Sequence, residues 1–224
     1  MNHPSLRTAD RPGIGSVIAG HKVLRNTYAL LSMTLMFSAA IAAAAVALRL
    51  PAPGIIITLI GYFGLLFLVN KVRDSSAAIP AVFALTGFMG YTLGPMLTAH
   101  LTLPGGAQTI AMALGATGAT FLALSSYVLA TKKDFSFMGG FLFAGMVIAL
   151  LASLAGMFFK IPALSLAVSA MVALLSAGLI LFETSRIVNG GETNYVMATV
   201  SLFVSLFNLF TSLLSLFGFS SSKE

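Results

Sequence analysis

The chain contains no cysteine and no tryptophan, and only six of its 224 residues are acidic. The missing cysteine excludes disulfides and cysteine-ligated metals. The missing tryptophan means that an aromatic girdle at a membrane surface has to come from tyrosine and phenylalanine. Charged residues make up 8% of the sequence, whereas a soluble domain carries about 25%. A water-soluble fold so poor in charge would expose large apolar patches. Catalytic signatures are missing too. There is no HExxH, no GxSxG and no phosphate-binding loop. His3, His21 and His100 are far apart, and His100 reads as a solvated loop residue beside a turn. Ser75-Ser76 and Ser125-Ser126 lack the glycine-flanked setting of an intramembrane serine protease, and Gly190-Gly191 reads as a loop breaker. Neither an enzyme activity nor a cofactor is expected.

What remains is apolar. The sequence is 58% hydrophobic, which makes the chain an all-α integral membrane protein with the lipid bilayer as its first partner. A spanning helix needs about 20 apolar residues. Charge-free stretches run over 26–48, 50–70, 75–131, 135–159, 161–182 and 193–222. The third is too long for one span and is broken by Leu103-Pro104-Gly105-Gly106, a turn signal. Seven transmembrane helices are therefore expected, near 26–48, 54–70, 77–99, 107–130, 137–159, 162–182 and 195–217. The runs are continuously apolar rather than alternating, which argues against a β-barrel.

The net charge of +6 fits the positive-inside rule better than nucleic-acid binding. Nine of the twelve basic residues precede the first helix or follow the second, fourth and sixth. That bias puts the N-terminus in the cytoplasm and, with seven spans, the C-terminus on the opposite side. Residues 1–25 are polar, with Pro4, Pro12, Gly13, Gly15 and Gly20. They read as a flexible tail ahead of a membrane domain at 26–217, with a short C-terminal tail at 218–224.

Small residues recur every four positions in helix six (Ser165, Ser169, Ala173, Ala177) and in helix four (Ala111, Gly115, Ala119). Both read as faces for close helix packing. Helix seven carries Asn194, Ser201, Ser205, Asn208, Ser212 and Ser215 on one stripe. Such a stripe should face protein or water rather than lipid. It serves either as interhelical hydrogen bonding or as the wall of a hydrophilic path. Glu183 follows an uncharged run of 22 residues, and Arg186 stands three positions on. The pair is either an ordinary interfacial ion pair or a carboxylate drawn towards the stripe as a pH sensor or gate.

Four blocks, HKVLRNTY (21–28), LTGFMGYTLGP (85–95), SYVLATKKDFSFMGG (126–140) and ILFETSRIVNGGETNYVMATVSLFVSLFN (180–208), resemble the Bax inhibitor family, also called the transmembrane BAX inhibitor motif family. The resemblance runs from about residue 21 to the C-terminus and is closest to the enterobacterial branch. It implies six helices surrounding a central seventh. It implies a non-enzymatic protein of the bacterial inner membrane that binds the FtsH protease and its prohibitin-like HflK/HflC complex. On this resemblance such a protein is degraded slowly, with the N-terminal tail as the entry point, and protects substrates such as SecY. Other members are pH-sensitive calcium leak channels with an acid at the end of helix six and a second in helix seven. The first maps onto Glu183, while the second maps onto Ser205, which cannot ionise. Lys71, Arg73 and Arg186 are the candidates for the cation that partners the first acid.

Overall fold

The structure, a computed structural model, describes residues 14–159 and 161–221. Among these, every regular element is helical: α1 (Ile14–Ala47), α2 (Ile55–Val72), α3 (Ala78–Leu101), α4 (Gly106–Thr131), α5 (Gly139–Phe159), α6 (Pro162–Val188) and α7 (Tyr195–Ser221). A short 3-10 turn, Ser136–Met138, leads into α5. All seven helices are long and apolar enough to cross a membrane, so the chain is a multi-pass helical membrane protein.

The reversals follow from local chemistry. Gly105 lies in the left-handed region at φ 70°, a conformation glycine adopts without a Cβ penalty. A Cβ on the next residue, Gly106, would run into the carbonyl oxygen of His100. Glycines at both positions let the chain turn directly from α3 into α4. Gly190, at φ 77°, ends α6. The N–H of Gly191 then donates back to the carbonyl of Arg186 at 2.8 Å, satisfying a carbonyl the helix end would leave open.

α7 is the centre of the bundle. Half of its most apolar stretch is buried, against 6% in α2 and 11% in α5. It packs against α6, α4, α1 and α3. α2 lies outside against α3, and α5 outside against α6. The core cluster includes Leu31 of α1, Val69 of α2, Val82 and Leu85 of α3, Ile180 and Ile187 of α6, and Leu202 and Phe203 of α7.

The closest helix contact is between α1 and α3. A Cβ on Gly90 would strike the backbone carbonyl of Ser38, and one on Gly94 would strike Ala45. A Cβ on Gly87 would come within 2.8 Å of the Phe37 ring. Lipid offers no hydrophobic drive for helices to associate, so such backbone approach is how they gain dispersion contacts.

Several expectations are corrected here. α1 begins at Ile14 rather than at residue 26, so residues 14–25 are helical; its apolar span begins at Lys22. Residues 1–13 of the expected tail, and 222–224 of the C-terminal one, fall outside the described residues, while α7 extends through Ser221. Ala111, Gly115 and Ala119 are exposed, and a Cβ on Gly115 would meet nothing. The buried side of α4 is Thr109, Ala113 and Thr117 instead. α4 has small residues on almost every side, so their spacing does not select the face that packs. On α6, Ser165 is exposed, and Ser169 spends its hydroxyl on the carbonyl of Ser165 at 2.9 Å. Ala173 does pack against the core. His100 is half-buried in the last turn of α3, with Nδ1 2.8 Å from the carbonyl of Met96; it is not a solvated loop residue.

The α1–α3 contact makes Gly90→Leu costly, because a backbone carbonyl cannot move aside as a side chain can. We expect a loss of about 1–3 kcal/mol, the range for overpacking, seen as a lower unfolding midpoint in detergent. Gly115→Ala should leave the midpoint undiminished. Equal losses in both variants would contradict the packing described.

Candidate functional site at the end of α6

Helix α6 continues beyond residue 182, where the apolar run stops, to Val188. Glu183 and Arg186 therefore lie on one helix, a turn apart. Glu183 is five residues from the helix end, about 7.5 Å along the axis. Ile180 and Ile187, three before it and four after, both belong to the core cluster. Glu183 thus faces inward, and only 7% of its surface is exposed. Arg186 Nη1 lies 3.6 Å from Glu183 Oε2, which identifies Arg186 as its cation. At that length the contact is an ion pair rather than a hydrogen bond. Oε2 has no hydrogen-bond partner among the described residues, and the same holds for Thr27 Oγ1 and the Tyr28 hydroxyl on α1 and for Ser176 Oγ on α6. Unpartnered buried oxygens are rare in proteins. Here all four lie on α1 and α6, two helices that pack against each other.

The other candidate cations are engaged elsewhere or unpaired with Glu183. Arg73 reaches Asp74 at 3.4 Å and Asn70 at 3.3 Å. Arg186 itself is shared. Its Nη2 donates to Glu192 Oε2 at 3.3 Å, and its guanidinium lies over the Phe182 ring at 5.5 Å, within cation–π range. Glu192 in turn accepts the N–H of Asn194 at 2.9 Å. One arginine therefore connects an inward carboxylate to the loop that leads into α7.

Three further residues at this end were not singled out by their sequence. Ser185, fully buried, accepts the N–H of Phe135 at 2.9 Å and donates to the carbonyl of Lys133 at 3.2 Å. Asn189 donates to Ser185 Oγ at 3.3 Å. Thr184 Oγ1 lies 3.4 Å from Ser125 Oγ of α4. Together they fasten α6 to α4 and to the α4–α5 loop. In that loop Asp134 accepts the N–H of Ser136 at 2.8 Å, and hydrogen bonds from Ser136 hold its carboxyl below the usual value. The only sequence signal for these ties was a short run of polar residues after an apolar helix.

The α7 stripe divides on inspection. Asn194 is not part of a path wall. Its Oδ1 accepts the N–H groups of Val196 and Met197 at 2.9 and 3.1 Å, capping α7. Its Nδ2 donates to Asp74 at 2.9 Å and to the carbonyl of Arg73 at 3.2 Å. Ser205 and Ser212 are buried, while Ser201, Asn208 and Ser215 are half-buried. Ser205 donates to the carbonyl of Ser201 and Ser215 to that of Thr211, both at 2.9 Å. These two hydroxyls are thus spent within α7 instead of bonding neighbouring helices. Among the described residues, no group of three histidine or acidic side chains is close enough to hold a metal ion.

Replacing Ser185 tests the fastening of α6. In Ser185→Ala the half-buried N–H of Phe135 loses its acceptor, at a cost of about 0.5–1.5 kcal/mol, the net worth of one hydrogen bond. Amide exchange should accelerate at 133–136 while the α1–α3 contact stays protected. Unchanged exchange at Phe135 would show that the bond carries no weight.

The sequence profile of a family described as inhibitor of apoptosis-promoting Bax1 matches residues 20–222. A protein of Escherichia coli K12 named modulator of FtsH protease YccA is 55% identical over 92% of this chain and 94% of its own length. A Pseudomonas aeruginosa protein without assigned function is 50% identical over 90% of this chain and 91% of its own. A Vibrio cholerae protein described as an uncharacterized membrane protein is 46% identical over 91% and 92%. With a profile match over nearly the whole chain and relatives alike from end to end, the chain belongs to the Bax inhibitor family.

Proposed function

We propose that this chain is an inner-membrane modulator of the FtsH protease. It binds the protease, together with its prohibitin-like HflK/HflC complex, as a slowly degraded substrate and so protects other membrane substrates such as SecY. The observation that carries this reading is the 55% identity, over 92% of the chain, to a protein named for that role. The N-terminus would lie in the cytoplasm and the C-terminus in the periplasm, as the nine-to-three distribution of basic residues suggests. Residues 1–22 would serve as the handle; of these, 1–13 lie outside the described residues.

The mechanism is competition. A protease that pulls on the handle has to draw out α1, which is locked against α3 and also packs against α7. Partial unravelling inside the bilayer strands backbone N–H and C=O groups, at several kcal/mol for each. The bundle therefore resists extraction while it occupies the enzyme. The test is the lifetime of SecY in cells with functional FtsH. Full-length chain should lengthen it, and deleting residues 2–22 should abolish that effect and alter the chain's own turnover. An unchanged SecY lifetime at matched expression would refute the reading.

A second reading is a pH-sensitive cation leak, of calcium or protons, gated at Glu183 with Arg186 and Ser205 as its neighbours in the path. The inward carboxylate of Glu183, whose Oε2 has no hydrogen bond, favours it. The hydroxyl of Ser205, bonded to its own helix, weighs against it, because one carboxylate cannot form the coupled pair that splits two titrations. This reading expects purified protein in vesicles to pass cations in a pH-dependent way that Glu183→Gln alters. Flux no greater than in empty vesicles would remove it.

A further inference from the structure

Helices α1, α3, α4 and α7 leave a cleft of about 560 Å³ between them. α7 forms its floor through Phe207, α1 one wall through Ala39 and Ala43, and α4 the other through Gly118. At one end α1 and α4 meet, with the rings of Tyr28 and Phe121 5.8 Å apart. Beyond that contact the cleft opens sideways past Met36 and Leu114, which are 75% and 57% exposed. Its wall is almost wholly apolar, and the hydroxyl of Thr117 is already bonded to the carbonyl of Ala113 at 2.7 Å. An apolar cavity does not hold water, and all the lining residues belong to membrane-spanning helices. What borders the opening is hydrocarbon.

The dimensions select the occupant. Along α1 the lining runs from Leu35 to Ala43, about 12 Å at 1.5 Å per residue. A spanning helix would need a groove of about 30 Å, whereas one leaflet of hydrocarbon is about 15 Å deep. The cleft lies in the half of the bundle nearer the α3–α4 turn, since Leu93, Leu97 and Ile110 line it as well. At that end stands Arg49, in the turn just past Ala47, the last residue of α1. It is exposed and takes part in no ion pair among the described residues. The charge sits where a lipid phosphate would be.

We propose that this cleft seats an acyl chain of an anionic phospholipid from the leaflet on the side of the α3–α4 turn, with Arg49 reaching the phosphate. Lipid tails are as apolar as leucine, so the chain is held by dispersion contact with a preformed slot and by charge, not by the hydrophobic effect. The site is independent of any role in proteolysis or ion flux.

The test uses purified full-length protein in phosphatidylcholine vesicles. Each vesicle preparation carries a trace of phosphatidylglycerol or phosphatidylcholine with a photoactivatable diazirine on its acyl chain. Adducts are mapped by peptide. The proposal expects enrichment on 110–121 and 203–210 over the lipid-facing side of α5 at Phe141 and Ile148. In Gly118→Phe the new ring has open space to enter, because a Cβ there meets nothing within 4 Å. Cleft adducts should then disappear while α5 adducts stay, and the α5 signal guards against misfolding. Phosphatidylglycerol should outcompete phosphatidylcholine about fivefold, the ratio given by ~1 kcal/mol of attraction per basic side chain. Arg49→Gln should erase that preference. Cleft labelling no stronger than on α5, or unchanged by Gly118→Phe, would overturn the proposal. So would chain-to-chain cross-links through the cleft in place of lipid adducts, which would show a second copy there. Equal labelling by the two lipids would overturn the assignment of Arg49.

Discussion

A hydroxyl surrounded by hydrocarbon cannot turn to water, and this constraint shapes the centre of the bundle. α7 is rich in serine and threonine yet is the most buried helix. It manages this by donating inward along its own backbone: Thr199, Ser205, Thr211 and Ser215 each reach the carbonyl four residues back. Thr199 also reaches the carbonyl of Thr27 on α1 at 3.3 Å, while Ser205, Thr211 and Ser215 are spent within α7, so most neighbours can present leucine, valine and glycine. The tight α1–α3 contact and the core around Phe203 are built on that freedom.

The seven spans were legible because length and hydropathy alone decide what can cross a membrane. The position of the α3–α4 reversal was legible from Leu103-Pro104-Gly105-Gly106, since a left-handed residue there calls for glycine. Which helix faces meet was not legible. Gly87, Gly90 and Gly94 do pack closely, while Ala111, Gly115 and Ala119 do not, although the two series look alike. Small residues permit approach, and the partner's shape chooses. Asn194 shows a second limit. By spacing it continues the α7 stripe, but it sits just ahead of the first turn, where a short polar side chain caps the helix. The candidate site was half legible. Glu183 and Arg186 were visible as charges beside a long apolar run, whereas Ser185 and Thr184 act through contacts some fifty residues away in sequence.

At the end of α6, fastening and slack lie side by side. Ser185 and Asn189 tie the helix to the loop before α5, and Arg186 ties it to Glu192. Between these ties Glu183 keeps one oxygen without a hydrogen bond. Replacing a tie should loosen the loops, while replacing Glu183 removes one of the two carboxylates that hold Arg186. The two kinds of residue are neighbours, and Arg186 links them.

The order of the helices along the chain has a mechanical consequence. The loosely attached helices, α2 and α5, each packed on one neighbour, lie in the middle of the sequence. The first and last helices, α1 and α7, each pack on several neighbours, with a third and a half of their apolar stretches buried. A tension drawn along the chain from either terminal helix meets a well-packed helix first, and reaches the loosely attached α2 or α5 only afterwards. The bundle then holds its shape under load until a terminal helix slips: losing α1 uncovers α3 and one side of α7, while losing α7 takes away the helix on which the others are seated.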